Sequence, residues 1–473
     1  MSVASQVTVS TGTLEGSQEN GIRRFLGVPY AAAPFGENRF RSPQPVAPWE
    51  GVREATVFGA TAPQLPYLGA IGELLSTVKI EGDDILTVNV WAPADATNAP
   101  VVLWIHGGAL ERGTAALGGY DGTNFARAGI VFASINYRLG SEGFSVLEGA
   151  PRNLGLRDAA AGLEWVHREI AVFGGDPDRI TVMGESAGGA IVSGLLARDD
   201  SRALIAQAII QSGPLVAQPS DKAGRVSTQL AERLGVRADR DAFASLTPEQ
   251  LLDARRAQST GSTPLGGAPG FQLAIDAESL PRSPHEVLPE IDTPILIGTN
   301  TDEYRLWFTP EALTSIGRFK LFAARLALRI SGRAQRAYRS EWPQATTGEI
   351  FGQLATDFML RAPASRIAAA RSGRTSTFVY EFAWQSPVRD LRAAHALELG
   401  FVFDLLDDAE SLRLAGSDAP AGLAAEMNGA WVAFIKTGAP GWPAYGEKRL
   451  TRVYDSMSTT VPQRRTAGMD LLP

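Results

Sequence analysis

The chain has 473 residues, 44% hydrophobic and 20% charged, an ordinary globular composition long enough to bury a large core. Its net charge of −7, with acids outnumbering bases, argues against a nucleic-acid partner. With no cysteine, disulfides and thiol chemistry are excluded; the four histidines, His106, His167, His285 and His395, include no pair at metal-ligand spacing, so no structural zinc is expected.

In chain order, Met1 to Val7 shows no basic stretch followed by an apolar one, and no apolar run reaches the roughly 20 residues of a membrane span, so a cytoplasmic protein without a membrane span is expected. Val7 to Gly16 and Ile22 to Val28 read as short paired strands, followed by a Pro-rich surface loop from Pro29 to Pro48. Pro63 to Gly82 is short and mixed. Pro100 to Ile105 is an apolar run of strand length that ends directly in His106-Gly107-Gly108-Ala109-Leu110, and Ile130 to Asn136 reads as another buried strand. From Asn153 to Phe173 the apolar positions Leu156, Ala160, Leu163, Val166, Ile170 and Phe173 recur at helical spacing, predicting a long helix against a sheet. Ile180 to Met183 then reads as a strand and Ala187 to Leu196 as a helix, so Gly184 to Gly188 is a tight strand-to-helix turn with Ser186 at its apex. A Gly-x-Ser-x-Gly match alone also fits a serine that only caps a helix.

The whole run from Phe173 to Gly188 resembles the serine-active-site signature of the type-B carboxylesterase family, the group of the para-nitrobenzyl esterases and cholinesterases. The resemblance implies the α/β-hydrolase fold: an α/β chain with a central, mostly parallel twisted sheet flanked by helices, and helical insertions covering the active site. It implies a single domain over residues 1–473, with insertions at about 215–290 and 308–375, and a nucleophile, an acid and a histidine in that order. Earlier stretches resemble the family too. Pro34 to Phe40 is similar to a loop whose arginine pairs with an acid in Asp83 to Pro93, which resembles the second family signature; Arg39 is expected to pair with Asp83. In that signature Ile85 stands where cysteine is usual. By resemblance the N–H groups of Gly108 and Ala109, with that of Ala187, form an oxyanion hole, while His106 supports the loop and Leu110, replacing a phenylalanine, makes the wall more aliphatic. Asn136 to Gly140 also resembles the family, with Arg138 paired to Asp158; Ala159 and Ser141-Glu142 are departures. The cholinesterases use a tryptophan in the stretch corresponding to Pro63 to Gly82 to hold a quaternary ammonium; this chain has none there, which argues against choline esters.

Beyond Ser186, Ala206 to Ile210 reads as the next strand, and Asp221 to Ala257 contains amphipathic helices. Gly261 to Gly270 is a Gly/Pro/Ser/Thr loop, expected to be the mobile part of the pocket rim. Thr293 to Glu303 is a buried strand and polar loop resembling the acid-bearing segment of the family, with Glu303 preferred over its neighbour Asp302. Pro310 to Trp342 reads as helical, with a basic solvated face. Thr375 to Phe382 reads as the last strand, and Leu391 to Phe403 resembles the histidine loop, with His395 at the family's position. Arg392 replaces a common glycine there; aimed into a pocket it would favour acidic esters. Gly422 to Lys436 reads as a C-terminal helix and Gly438 to Tyr445 as a packed loop.

The chemistry implied is carboxylic ester hydrolysis through an acyl-enzyme. Ser186 attacks, His395 takes its proton, Glu303 holds the imidazole, and Glu185 and Gly107 support the site from behind. A small-molecule ester is the expected partner, with no metal and no cofactor, and activity is expected to fall below about pH 6 as the histidine becomes protonated. An aryl carbamate or amide hydrolase would use the same machinery. A non-catalytic binding member of the fold, as the neuroligins are, would have lost the serine that this chain keeps.

Overall fold

The computed structural model describes residues 3–259 and 270–473. The chain divides into two compact units, one of Met1–Tyr67, Ser76–Thr293 and Ile435–Gly438, the other of Leu68–Leu75, Pro294–Phe434 and Ala439–Pro473. The expected rim loop Gly261 to Gly270 lies, but for Gly270, outside the described residues.

In the first unit the strands are β1 Val3–Val9, β2 Gly12–Glu19, β3 Ile22–Pro29, β4 Val52–Glu54, β5 Thr87–Pro93, β6 Ala99–Ile105, β7 Val131–Ile135, β8 Gly175–Glu185 and β9 Gln207–Gln211. They lie in the order β1-β2-β3-β5-β7-β6-β8-β9, with β4 beside β2. The stretch expected as one strand, Val7 to Gly16, turns at Ser10 and Thr11, so the N-terminus is a three-stranded antiparallel meander. From β7 through β9 the pairings are parallel. These strands are buried nearly throughout, the signature of a sheet covered on both faces.

The register of the parallel strands positions the site. Ile105 at the end of β6 pairs with Gly184, and Glu185 at the end of β8 pairs with Gln211. The loops that follow β6, β8 and β9 therefore leave the sheet at one level, at its carboxyl ends, where open α/β sheets bind ligands. The expected long helix forms as Leu154–Glu169, continued by a 3-10 turn Ile170–Phe173 that Gly174 ends at φ 89°. Its apolar stripe, Leu156, Leu163, Val166, Ile170 and Phe173, is fully buried.

Two buried arginines tie this unit together. Arg138 meets Asp158 at 2.6 Å, as expected. Arg39 does not pair with Asp83: its guanidinium reaches Glu142 at 2.5 Å, both side chains being buried, while Asp83 is exposed. Glu142, a departure without a role in the sequence, is thus the acid that a buried arginine requires, and it leaves Asp83 free to face water.

In the second unit β10 Ile295–Asn300, β11 Thr377–Phe382, β12 Leu450–Tyr454 and β13 Thr459–Pro462 follow one another in order, the first two pairings parallel and the third antiparallel. Thr375 to Phe382 is therefore not the last strand; β12 and β13 are short, half polar, and gave no run long enough to read. The expected helix from Pro310 to Trp342 is three helices, Pro310–Thr314, Arg318–Ala327 and Gly332–Glu341. It is interrupted at Gly317 and at Arg329, whose φ of 55° no helix continues. The C-terminal helix spans Ala421–Thr437.

Candidate active site

The turn between β8 and the helix Ala187–Leu196 places Ser186 at φ 55°, ψ −122°, a conformation that a side chain disfavours and that only a surrounding scaffold maintains. The scaffold is made of glycine contacts. A Cβ on Gly184 would stand 2.6 Å from the carbonyl of Gly188, and one on Gly188 would stand 2.0 Å from the carbonyl oxygen of Ile105. No side chain fits at either place. The N–H of Ser186 donates to Gln211 O at 2.8 Å and its carbonyl accepts from Ala190 N at 3.0 Å, so both β9 and the first turn of the helix fix the apex.

The loop after β6 lies against this turn. A Cβ on Gly107 would fall 2.8 Å from the Glu185 carboxylate and 3.1 Å from Ser186 Cβ, so the absence of a side chain at Gly107 lets the loop and the nucleophile turn touch. Gly108 (φ 112°), Ala109 (φ 58°) and Leu110 (φ 60°) all have positive φ, and the Gly108 carbonyl accepts from Arg112 N at 2.9 Å. Successive positive-φ residues are the backbone pattern in which neighbouring N–H groups can form an anion-binding nest. Among the described residues the N–H groups of Gly108, Ala109 and Ala187 have no protein acceptor. Leu110 is buried in the wall.

His106 is fully buried, stacked on Tyr137 at 4.6 Å, and shares a hydrogen bond of 2.8 Å between Nδ1 and Gly107 O. Burial pushes its pKa down to about 4, so it is a neutral brace for the loop at neutral pH. The Tyr137 hydroxyl donates to His106 O at 2.8 Å from the other side.

In the second unit the loop after β10 and the loop of His395 meet. His395 Nδ1 lies 2.5 Å from Glu303 Oε2, and Glu303 Oε1 accepts from Asn300 N at 2.7 Å. Both side chains are buried. The carboxylate thus has a donor on each oxygen, which fixes Nδ1 as the protonated ring nitrogen and leaves Nε2 as the basic one. The Trp307 ring packs 4.8 Å from the imidazole. Asp302, the competing acid, donates its own N–H to Ala393 O, and burial holds its carboxyl above the usual range; it does not take the place of Glu303 at the histidine.

Three features here had no sequence signal. Asn300 Nδ2 donates to Ala394 O at 2.7 Å and to Glu398 Oε2 at 2.6 Å, joining the two loops. Glu398 is fully buried; burial and then the charge of Glu303 push its carboxyl up to about 7. Beneath β10, Arg361 donates to Asn300 O at 2.7 Å and to Thr299 Oγ1 at 3.2 Å, and pairs with Asp357 at 2.6 Å and Glu381 at 3.3 Å. Arg465, whose burial pushes its pKa down to about 10, also binds Glu381. Partners scattered from residue 299 to 465 make no motif.

Arg392 adopts φ 51°, which explains why a glycine serves at this place. Its guanidinium is engaged by Asp390 and Glu349, each at 3.1 Å, so the expected preference for acidic esters loses its basis.

A serine on a strand-to-helix turn and a buried carboxylate–histidine pair are the parts found in enzymes of the α/β-hydrolase class. Residues 3–464 match the model of the carboxylesterase family. The chain is 35% identical to the para-nitrobenzyl esterase of Bacillus subtilis (strain 168), over 96% of this chain and 95% of that protein, and 33% identical to the phenmedipham hydrolase of Pseudarthrobacter oxydans, over 92% of each. A solved PNB esterase structure superposes with a TM-score of 0.88 at 33% identity, each chain covered completely; a Geobacillus stearothermophilus carboxylesterase does so at 0.84 and 32%, covering 99% of this chain and all of that one. The chain belongs to the carboxylesterase family, and it is a carboxylic ester hydrolase with the α/β-hydrolase fold.

Proposed function

We propose that Ser186 is the nucleophile, His395 its general base and Glu303 the acid that orients the imidazole and stabilises it once protonated. The observation that carries this is the 2.5 Å contact between Glu303 Oε2 and His395 Nδ1, both buried, which leaves Nε2 as the proton acceptor. A serine hydroxyl is too weak an acid to attack alone, so proton transfer to Nε2 accompanies bond formation to the carbonyl carbon. The oxyanion that results is received by the N–H groups of Gly108, Ala109 and Ala187, each worth about 3 kcal/mol of barrier. The alcohol leaves with the proton from His395. Water then attacks the acyl-enzyme by the same route and releases the acid. Glu185 and Gly107 act from behind, the carboxylate of one packing on the backbone of the other. The partner is a small-molecule ester, a reading that the name of the para-nitrobenzyl esterase relative supports, the chain works as a single domain, and a chain without cysteine suits the cytoplasm, which fractionation tests.

An organophosphate reagent tests the assignment. One covalent adduct on Ser186 is expected, absent in Ser186→Ala. Glu303→Gln should lose about 10⁴-fold in kcat with KM little changed, because the neutral amide neither stabilises the imidazolium nor selects the tautomer. An adduct on another residue, or Glu303→Gln at wild-type kcat, would refute it.

A further inference from the structure

The helix Arg318–Ala327 is held to its unit by the face that carries Leu321, only 3% exposed and packed in a core cluster with Ile330, Ala334, Tyr338 and Ile350. Its opposite face is also apolar. Phe319, Phe322 and Leu326, spaced three and four apart and thus aligned on one side, are 82%, 53% and 70% exposed. Three large apolar side chains aligned toward water on one short helix mark an interaction surface. Charge surrounds them: between Glu311 and Glu341 the chain carries seven Lys or Arg residues, from Arg318 to Arg339, and no acid, although the whole protein is at −7. None of the seven forms an ion pair among the described residues. Arg318 and Lys320 flank the stripe, and Arg325 lies over the Phe322 ring at 5.5 Å. A groove of about 730 Å³ beside the stripe is lined by Phe322 and by Arg318, Gln335, Arg339 and Thr346, the last four being donors suited to an anionic head group.

We propose that this helix docks the enzyme on an anionic lipid surface, with Phe319, Phe322 and Leu326 entering the boundary between head groups and acyl chains and the surrounding cations binding head-group phosphates. An apolar stripe bordered by cations is the pattern of an interfacial helix. A second copy of the chain is the wrong partner, since it would set seven cations against seven. The proposal does not depend on the triad.

Sedimentation of the full-length protein with vesicles tests it. Partition onto phosphatidylglycerol-containing vesicles should exceed that onto pure phosphatidylcholine by about tenfold or more, and should collapse at 1 M salt, where the screening length falls to about 3 Å. The triple variant Phe319→Ser/Phe322→Ser/Leu326→Ser and the separate Arg318→Gln/Lys320→Gln/Arg329→Gln should each lose that binding while hydrolysing a water-soluble p-nitrophenyl ester at the wild-type rate. Ser186→Ala should bind vesicles like wild type, which separates this inference from the catalytic one. No binding, equal binding to both vesicles, unchanged binding by the two triple variants, or self-association that the apolar variant abolishes would overturn it.

Discussion

The Ser186 turn and the Glu303–His395 pair, proposed above as nucleophile and base, are built by opposite means. The Ser186 turn is local: a strand ends, two glycines stand where a Cβ would fall 2.6 and 2.0 Å from facing backbone, and a helix begins within five residues. The Glu303–His395 pair is assembled at long range, from two loops joined by Asn300 and Glu398 and braced by a buried ionic cluster around Arg361, Glu381 and Arg465. The first stores strain to expose a hydroxyl. The second stores electrostatic energy to hold an imidazole, and it depends on every charge having its partner.

Ser186→Gly is the largest test of that contrast. Activity on a p-nitrophenyl ester should fall by about 10⁴-fold or more, since the proposed nucleophile is gone. Stability should rise by about 1 kcal/mol, because glycine accepts φ 55° without the steric penalty paid by serine. Thermal unfolding reads the second effect, and a destabilised Ser186→Gly would mean that the turn carries no strain.

Arg361→Met addresses the other half. It leaves the buried Asp357 without its cationic partner, while Glu381 keeps Arg464 and Arg465, and it removes the donors to Thr299 Oγ1 and Asn300 O in β10. A loss of about 3–5 kcal/mol in urea unfolding is expected. A fall of about 10–100-fold in kcat should accompany it as the Glu303 loop loosens. If stability fell and kcat did not, the cluster would support the fold alone and the contrast would narrow to the Asn300 bridge.

That difference in construction also decided what was legible. Ser186, Ala187 and the bend at Gly108 and Ala109 were readable because their geometry is dictated by small residues at fixed offsets beside a strand end, and Asp158 was readable because the motif of Arg138 travels with it. Glu142 was not, since a buried ion pair links two segments a hundred residues apart and nothing in either segment names the other; the reading put Asp83 there, which is exposed. Glu398, Arg361 and Arg465 were missed for the same reason. The helix at Arg318–Ala327 was read as a solvated basic face, but periodicity alone does not tell which of its two apolar sides meets the core, and only the burial of Leu321 against the exposure of Phe319 decides it.

The smallest expected effect isolates the charge that is hardest to hold. Glu398 is buried next to Glu303, and its carboxyl is raised to about 7 by burial and by that neighbour. In the unfolded chain it releases its proton at the ordinary glutamate value, near 4.3. Between these two values the folded state binds more protons than the unfolded state, so stability falls as pH rises through this window and is level with respect to this group above about 7. The loss is up to about 4 kcal/mol. Glu398→Gln keeps an oxygen for Asn300 Nδ2 and cannot ionise. The variant should therefore match wild type below about pH 4.5 and be the more stable of the two above about pH 7, a divergence that unfolding midpoints against pH measure directly. Parallel curves for the two proteins would mean that Glu398 ionises as easily folded as unfolded, and that the long-range half of the site holds two carboxylates side by side without strain.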